Sequence, residues 1–179
     1  MSVVGTHAGE TLAQILDRKR EEIKKAGKTF WLYKSHSAKP SAVQKLANSN
    51  PKETVCLFIH PSTDGGAKPT KHEERLEEFS SDGLSWQEVP EGILVTGDHK
   101  GTFALVLKDI EPVEEMIDTW DYSSFADPSK PLKTRLGDST LPVIKKSSEN
   151  HPEKMKSNIR KVVAVAKLTK PFGVWLRNS

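Results

Sequence analysis

The run Lys28-Thr29-Phe30-Trp31-Leu32-Tyr33-Lys34-Ser35-His36-Ser37-Ala38-Lys39 brings together more usable chemistry than any other part of the chain. Aromatic and aliphatic residues from Phe30 to Tyr33 have the composition of a β-strand. They run straight into a cation (Lys34), a hydroxyl (Ser35) and a titratable ring (His36), with a second cation at Lys39. Aromatic faces stack on nucleobases of any sequence and ammonium groups meet phosphates, so these residue types suit a nucleic acid or a nucleobase-like ligand. Trp31, Tyr33, Lys34, Ser35, His36 and Lys39 therefore form the candidate ligand-binding set, with Trp31 and Tyr33 as stacking surfaces. Alternation sets a condition on it. Trp31 and Tyr33 share one face of the strand while Phe30, Leu32 and Lys34 share the other, so one of the two sets belongs to the core.

Other groupings are less complete. His60, Asp64, His72 and Glu73 or Glu74 have metal-ligand residue types, but they flank a Gly/Pro-rich stretch with neither His-Glu-x-x-His spacing nor the order of a facial triad. They read more simply as polar loop residues. The run Ser62-Thr63-Asp64-Gly65-Gly66-Ala67-Lys68 lacks the Gly-x-x-x-x-Gly-Lys-Ser/Thr pattern of a phosphate-binding loop. Cys56 lies in an apolar run, where burial raises the thiol pKa and leaves a small hydrophobe. No serine occupies a Gly-x-Ser-x-Gly elbow. Asp118, Asp121 and Asp127 beside Trp120 and Tyr122 supply carboxylates for paired acid/base work, or a solvated loop with packed aromatics.

The chain has 179 residues, which fits one domain, residues 1–179, with a full core. Hydrophobic residues make up 35% and charged residues 28%, the balance of a globular body carrying long polar loops. A lone cysteine excludes an internal disulfide and a zinc site built on several cysteines. No apolar run approaches the ~20 residues of a membrane span, and the N-terminus lacks the pattern of a signal peptide. The expectation is a soluble, intracellular protein, cytoplasmic or nuclear, with no membrane partner. Its net charge of +3 is too small to hold a polyanion by itself. Acids gather in Glu73 to Glu91 and Glu111 to Asp127, and bases in Lys130 to Lys146 and Lys154 to Lys170, a segregation that a solvated, balanced surface explains without a polyanion.

The elements that would position the candidate set follow from local pattern. A helix is expected from Thr11 to Ala26: Leu12, Ile15, Leu16 and Ile23 recur at helical spacing, Thr11 and Gln14 make a capping box, and Gly27 supplies a left-handed stop. Its other face, with Arg18, Arg20, Glu21, Glu22, Lys24 and Lys25, is expected in water, so Leu16→Ala should be costly and Glu22→Ala nearly silent. Strands are expected at Phe30 to Lys34, Thr54 to Ile59, Leu84 to Val89, Gly92 to Val95 and Thr102 to Ile110. Met155, Ile159, Val162, Val163 and Ala166 have helical spacing, yet the β-branched run Val162 to Ala166 also fits a strand after a short helical start, and both readings stay open. Short helices are expected at Pro40 to Ala47, Lys71 to Phe79 and Val113 to Thr119, with a long irregular loop around 121–152. The turn formers Gly97-Asp98-His99-Lys100-Gly101 suggest an antiparallel meander in which sequence neighbours pair.

Trp31-Leu32-Tyr33-Lys34-Ser35 resembles the Trp-Leu-x-Lys-Ser start of EVE domains in the PUA-like superfamily. Val55-Cys56-Leu57-Phe58-Ile59-His60 and Val162-Val163-Ala164-Val165-Ala166 resemble later strands of that family, in the same order. The resemblance implies a barrel that binds modified bases in nucleic acids. The expected fold is α+β, with a mainly antiparallel curved sheet or partly closed PUA-like barrel and flanking helices. The expected function is a non-catalytic binding module for nucleic acid or a nucleobase-like ligand. The alternatives are a small hydrolase or transferase using His60, Asp64 and His72, and a protein-interaction subunit with exposed aromatics. No cofactor and no metal are expected, so a strong chelator should leave the melting temperature unchanged, whereas a fall of many degrees reversed by zinc would bring His60 and His72 to the front.

Overall fold

The computed structural model describes residues 2–4, 9–33, 39–61, 74–97, 102–126, 143–145 and 159–178. In chain order these form β1 (Ser2–Val4), α1 (Leu12–Ala26), β2 (Thr29–Tyr33), α2 (Pro40–Ser49), β3 (Cys56–Pro61), β4 (Glu74–Arg75) and β5 (Glu78–Ser80). There follow β6 (Gln87–Glu88), β7 (Thr96–Gly97), β8 (Thr102–Asp118), a 3-10 turn at Thr119–Asp121, β9 (Tyr122–Ser124), β10 (Val143–Lys145) and β11 (Ile159–Arg177). The result is an α+β arrangement built on a mostly antiparallel sheet that does not close on itself.

Two long strands make its spine. β8 and β11 pair antiparallel from Thr102↔Leu176 to Asp118↔Ile159. β2 pairs with β8 on its other edge, Thr29↔Leu107 to Tyr33↔Phe103, and β11 takes β3 and β5 on its own other edge. β1 adds to β3 in the one parallel pairing among the described residues. Strand alternation then sorts the core into two layers. Phe103, Leu105 and Leu107 face one side with Trp31, Leu57, Ile59, Ala164, Ala166 and Leu168, and Ile15 and Leu16 of α1 and Val43 of α2 cover them. Ala104 and Val106 face the other side with Phe30, Val174 and Leu176, and Leu76, Phe79, Ile93 and Val95 cover those.

The α1 boundaries and caps agree with the sequence: Thr11 and Gln14 form the capping box, and Gly27, at φ 72°, donates its N–H to the Ile23 carbonyl. Several expectations fail. No strand forms at Gly92 to Val95, only Thr96–Gly97 pairing as β7; the Leu84 to Val89 strand is reduced to Gln87–Glu88; and the stretch 121–152 contains β9 and β10, which pair antiparallel. The Lys71 to Phe79 helix is replaced from Glu74 onward by β4 and β5, because Leu76 and Phe79 are drawn into the second core layer beside Val95 and Phe30. The Val113 to Thr119 helix is the continuation of β8, because Val113 to Asp118 lie against the N-terminal half of β11, whose ladder overrides a weak local preference. The meander fails as well, since the neighbours of β8 are β2 and β11 rather than the preceding segment. Pro112 is tolerated in this long strand because β2 pairs with β8 only over Phe103–Leu107, leaving one partner strand at Pro112 among the described residues.

The charged face of α1 is the largest surprise. Lys19 and Glu22 are only 6% and 3% exposed. The Glu22 carboxylate accepts from Lys19 Nζ at 2.8 Å, Arg18 Nη1 at 3.0 Å, the Leu94 N–H at 3.3 Å and the Thr29 hydroxyl. Lys19 Nζ also donates to the Leu94 carbonyl at 3.3 Å, so two side chains of α1 hold both polar groups of one peptide segment in place of a neighbouring strand. Burial pushes the Lys19 pKa down, opposed by Glu22. Glu22→Ala is therefore expected to destabilise the protein by roughly 3–5 kcal/mol, because removing one partner leaves the other charge buried and uncompensated. Leu16→Ala should cost roughly 2–5 kcal/mol as a core truncation, and the exposed Glu21→Ala should stay within about 0.5 kcal/mol. Urea titrations check the ranking, and a silent Glu22→Ala would refute the buried network.

Candidate functional site

β2 carries the aromatic half of the candidate set. Trp31 pairs with Leu105 in the ladder and is 5% exposed, packed in the core layer beneath α1 and α2. Phe30, on the opposite face, is equally enclosed, with its ring 5.1 Å from that of Phe79. Alternation suggested that one set of aromatics would be core. Both faces are in fact covered, by helices on one side and by residues 76–95 on the other, so Trp31 is a core residue and offers no open ring for stacking. The backbone of Tyr33 ends the strand opposite Phe103. Its side chain, and Lys34, Ser35 and His36 entirely, lie outside the described residues. Lys39 is exposed and occupies the N-cap of α2 in an extended conformation without a side-chain cap. Pro40 follows at the first helical position, where its missing N–H costs nothing.

α2 is held on β11 by an unusually close approach. A Cβ on Gly173 would fall 2.6 Å from Val43 Cγ1 and 3.0 Å from the Pro40 Cα, so only glycine lets the first turn of α2 reach the strand. Gln44 completes the dock by donating from Nε2 to the Gly173 carbonyl at 2.9 Å and the Ser81 carbonyl at 3.0 Å. Just before Gly173 the ladder breaks register, with Leu168↔Leu107 followed by Gly173↔Leu105, so Thr169, Lys170, Pro171 and Phe172 bulge from the strand. Phe172 takes a φ of 68°, uncommon for a bulky side chain, and packs against the helix-side core. Sequence reasoning missed this neighbourhood. Its signal was Pro171 and Gly173 inside an otherwise apolar strand pattern, the two residue types that mark a bulge.

The remaining candidates separate in space. His60, in β3, has its Nδ1 hydrogen-bonded to the Lys161 carbonyl. A carbonyl only accepts, so Nδ1 carries the proton and the neutral ring has its lone pair on Nε2. Asp64, His72 and Glu73 lie outside the described residues, and Glu74 is in β4; among the described residues no group of three or more His, Cys, Asp or Glu side chains could hold a metal ion. Cys56 is half-buried, and burial pushes its thiol pKa up against the opposing charge of Lys167. Asp118 and Asp121 are half-buried about the 3-10 turn, and the Tyr122 ring meets Phe58 edge-on at 6.1 Å. Burial first, then Asp121 and Glu115, raise the Tyr122 pKa.

The segregated charge runs meet across the sheet. Lys167 of β11 bridges Asp109, at 3.0 Å, and Glu111 of β8; Lys161 faces Glu114 at 3.7 Å; Arg177 bonds Glu78 at 2.6 Å and stacks over Trp86 at 4.0 Å. These cations serve the sheet. No helix among the described residues is long and apolar enough to cross a membrane. Comparison with protein-family models, with curated proteins and with solved structures finds no match for this chain.

Gly173→Ala should displace the first turn of α2 and cost about 1–3 kcal/mol, the range for overpacking. Adding Val43→Ala relieves only the side-chain clash and leaves the Pro40 backbone contact, so it should not restore the wild-type urea midpoint. Full restoration would show that the backbone approach is not limiting.

Proposed function

We propose that this chain is a non-catalytic binding module for single-stranded nucleic acid or a nucleobase-like ligand, with the ligand held by residues at and beyond the end of β2. The observation that carries the reading is the pair of fixed points around that segment. The Tyr33 backbone is locked into the ladder opposite Phe103, and the exposed Lys39 is fixed by a helix docked on β11, with only residues 34–38 between them. Lys34, Ser35 and His36 lie in the sequence between these two fixed points. In this reading Trp31 supports the site from beneath, Tyr33 supplies the stacking ring, and Lys34, His36 and Lys39 meet phosphate and base edges. The resemblance of residues 31–35 to EVE domains supports the same assignment and extends it to modified bases in a PUA-like barrel.

A second reading is favoured by His60. An imidazole whose Nδ1–H is held by a backbone carbonyl presents Nε2 as a base or a metal ligand, the arrangement common to catalytic and metal-binding histidines. In that reading His60 acts with Asp64 and His72 in a hydrolase or transferase. Stoichiometric metal after purification, lost in His60→Ala, would support it.

Lys34→Ala and His36→Ala are expected to keep the melting temperature of the parent and to weaken binding of single-stranded RNA or DNA. Fluorescence anisotropy at low salt, where the electrostatic contribution is greatest, checks this. A folded parent that binds no oligonucleotide under those conditions refutes the nucleic-acid reading.

A further inference from the structure

We infer that Asp82-Gly83 is a latent site of spontaneous backbone isomerisation to isoaspartate, kept closed by the Ser80 hydroxyl. Among aspartyl peptides Asp-Gly is the most prone to this change, because glycine places no side chain in the way of its own amide nitrogen. The chain has two such peptides: Asp64-Gly65, outside the described residues, and Asp82-Gly83, in the loop that joins β5 to β6. In the reaction the Gly83 nitrogen attacks Asp82 Cγ. The N–Cγ bond forms, the Cγ–OH bond breaks, and the amide proton leaves with the hydroxyl as water. Water then opens the succinimide ring at either carbonyl, giving back aspartate or leaving a main chain that runs through Cγ beside a free α-carboxylate. Only water is exchanged, and Asp82 is exposed to it.

Both reacting groups are tied to one atom. Ser80 is 1% exposed and fixed in β5 opposite Trp175; its Oγ donates to Asp82 Oδ1 at 2.8 Å and accepts the Gly83 N–H at 2.9 Å. The Leu84 and Ser85 N–H groups donate to the same carboxylate oxygen at 2.7 and 2.8 Å. These bonds, from Ser85 first, then Leu84 and Ser80, hold the Asp82 carboxyl well below the usual carboxylate range. An ionised carboxylate has no hydroxyl to lose as water, so stabilising it slows ring closure. Gly83 lies against the Trp175 indole, where a Cβ would fall 3.6 Å from Nε1, and Gln44 of α2 holds the Ser81 carbonyl at 3.0 Å. Attack requires the Gly83 nitrogen to give up its proton and turn toward Cγ, which breaks its bond to Ser80. An isoaspartate would lengthen the main chain by one carbon and remove the acceptor that Leu84 and Ser85 share, so the same turn could not re-form.

The test ages the full-length parent, Ser80→Ala and Leu16→Ala at neutral pH beside a synthetic peptide of residues 78–88. Isoaspartate at position 82 is read by fragmentation mass spectrometry, relative to Asp64-Gly65 in the same digest of each full-length chain, and by enzymatic methylation of the isoaspartyl carboxyl. The peptide should isomerise fastest and the folded parent slowest. Ser80→Ala should raise the rate at position 82 by roughly 2- to 10-fold, the worth of one hydrogen bond, with a melting temperature near that of the parent. Leu16→Ala weakens the core without touching the loop and should stay closer to the parent than Ser80→Ala does. A parent that isomerises as fast as the peptide, or equal rates in the parent and Ser80→Ala, overturns the inference. A Leu16→Ala rate equal to that of Ser80→Ala overturns it as well, since unfolding of the whole chain would then set the rate.

Discussion

The ladder between β8 and β11 is the constraint on which the other parts of the fold depend. It aligns Thr102 to Asp118 with Ile159 to Leu176, and each strand then offers its other edge: β8 to β2, and β11 to β3 and β5. Because side chains alternate along both strands, this one register decides which residues face the helices and which face residues 76–95. A slip of one residue would send Leu105 and Leu107 to the wrong layer and take Gly173 out from under Pro40. The fold thus depends on a contact between segments distant in sequence, a slow kind of contact to form and one that local propensity cannot announce.

The buried ions of α1 solve a problem created by that register. β2 uses one edge for β8, and the Ile93–Val95 segment must still lie in the second core layer without a full ladder to satisfy its peptide groups. Lys19 and Glu22 supply a donor and an acceptor to the Leu94 carbonyl and N–H from the side, and Thr29 of β2 joins the same carboxylate. Burying a cation and an anion without such bonds would be costly, whereas here every oxygen of Glu22 has donors. Arg18 extends the network outward to Glu10, which it holds through Nη2 at 2.6 Å and Nε at 2.9 Å. Helix, edge strand and covering segment are joined through one carboxylate.

Local structure was legible where it depended on residues a few positions apart. The capping box at Thr11 and Gln14, the stop at Gly27, the helix begun by Pro40 and the apolar strands at Leu57 to Ile59 and Phe103 to Leu107 all follow from short-range patterns. Glu22 shows where that reasoning runs out: helical spacing placed it on the water face, and nothing near it in sequence reveals that Leu94 and Thr29 will present an N–H and a hydroxyl there. Val113 to Asp118 failed likewise, since their partner strand begins only at Ile159. Of the candidate site, the strand and the following helix were legible. The burial of Trp31 was not, because a half-covered and a fully covered strand differ in what arrives from elsewhere in the chain.

The same long-range pairing changes how the charge pattern is understood. An acidic stretch followed later by a basic one suggests a surface that could face a polyanion, yet Asp109, Glu111 and Glu114 stand opposite Lys167 and Lys161 and cancel much of that field across the sheet. Total basic charge is therefore a poor guide to where an anion would bind. What matters is which cations the ladder leaves without partners, and a bulge is a direct way to produce one: it interrupts the cross-strand register that would otherwise set a lysine opposite a carboxylate. At Thr169 to Phe172 that interruption coincides with the glycine that admits α2, so the feature that docks the helix also releases Lys170 from the pairing scheme of its strand. A single irregularity in β11 thus links the packing of the core to the charge pairing along the strand.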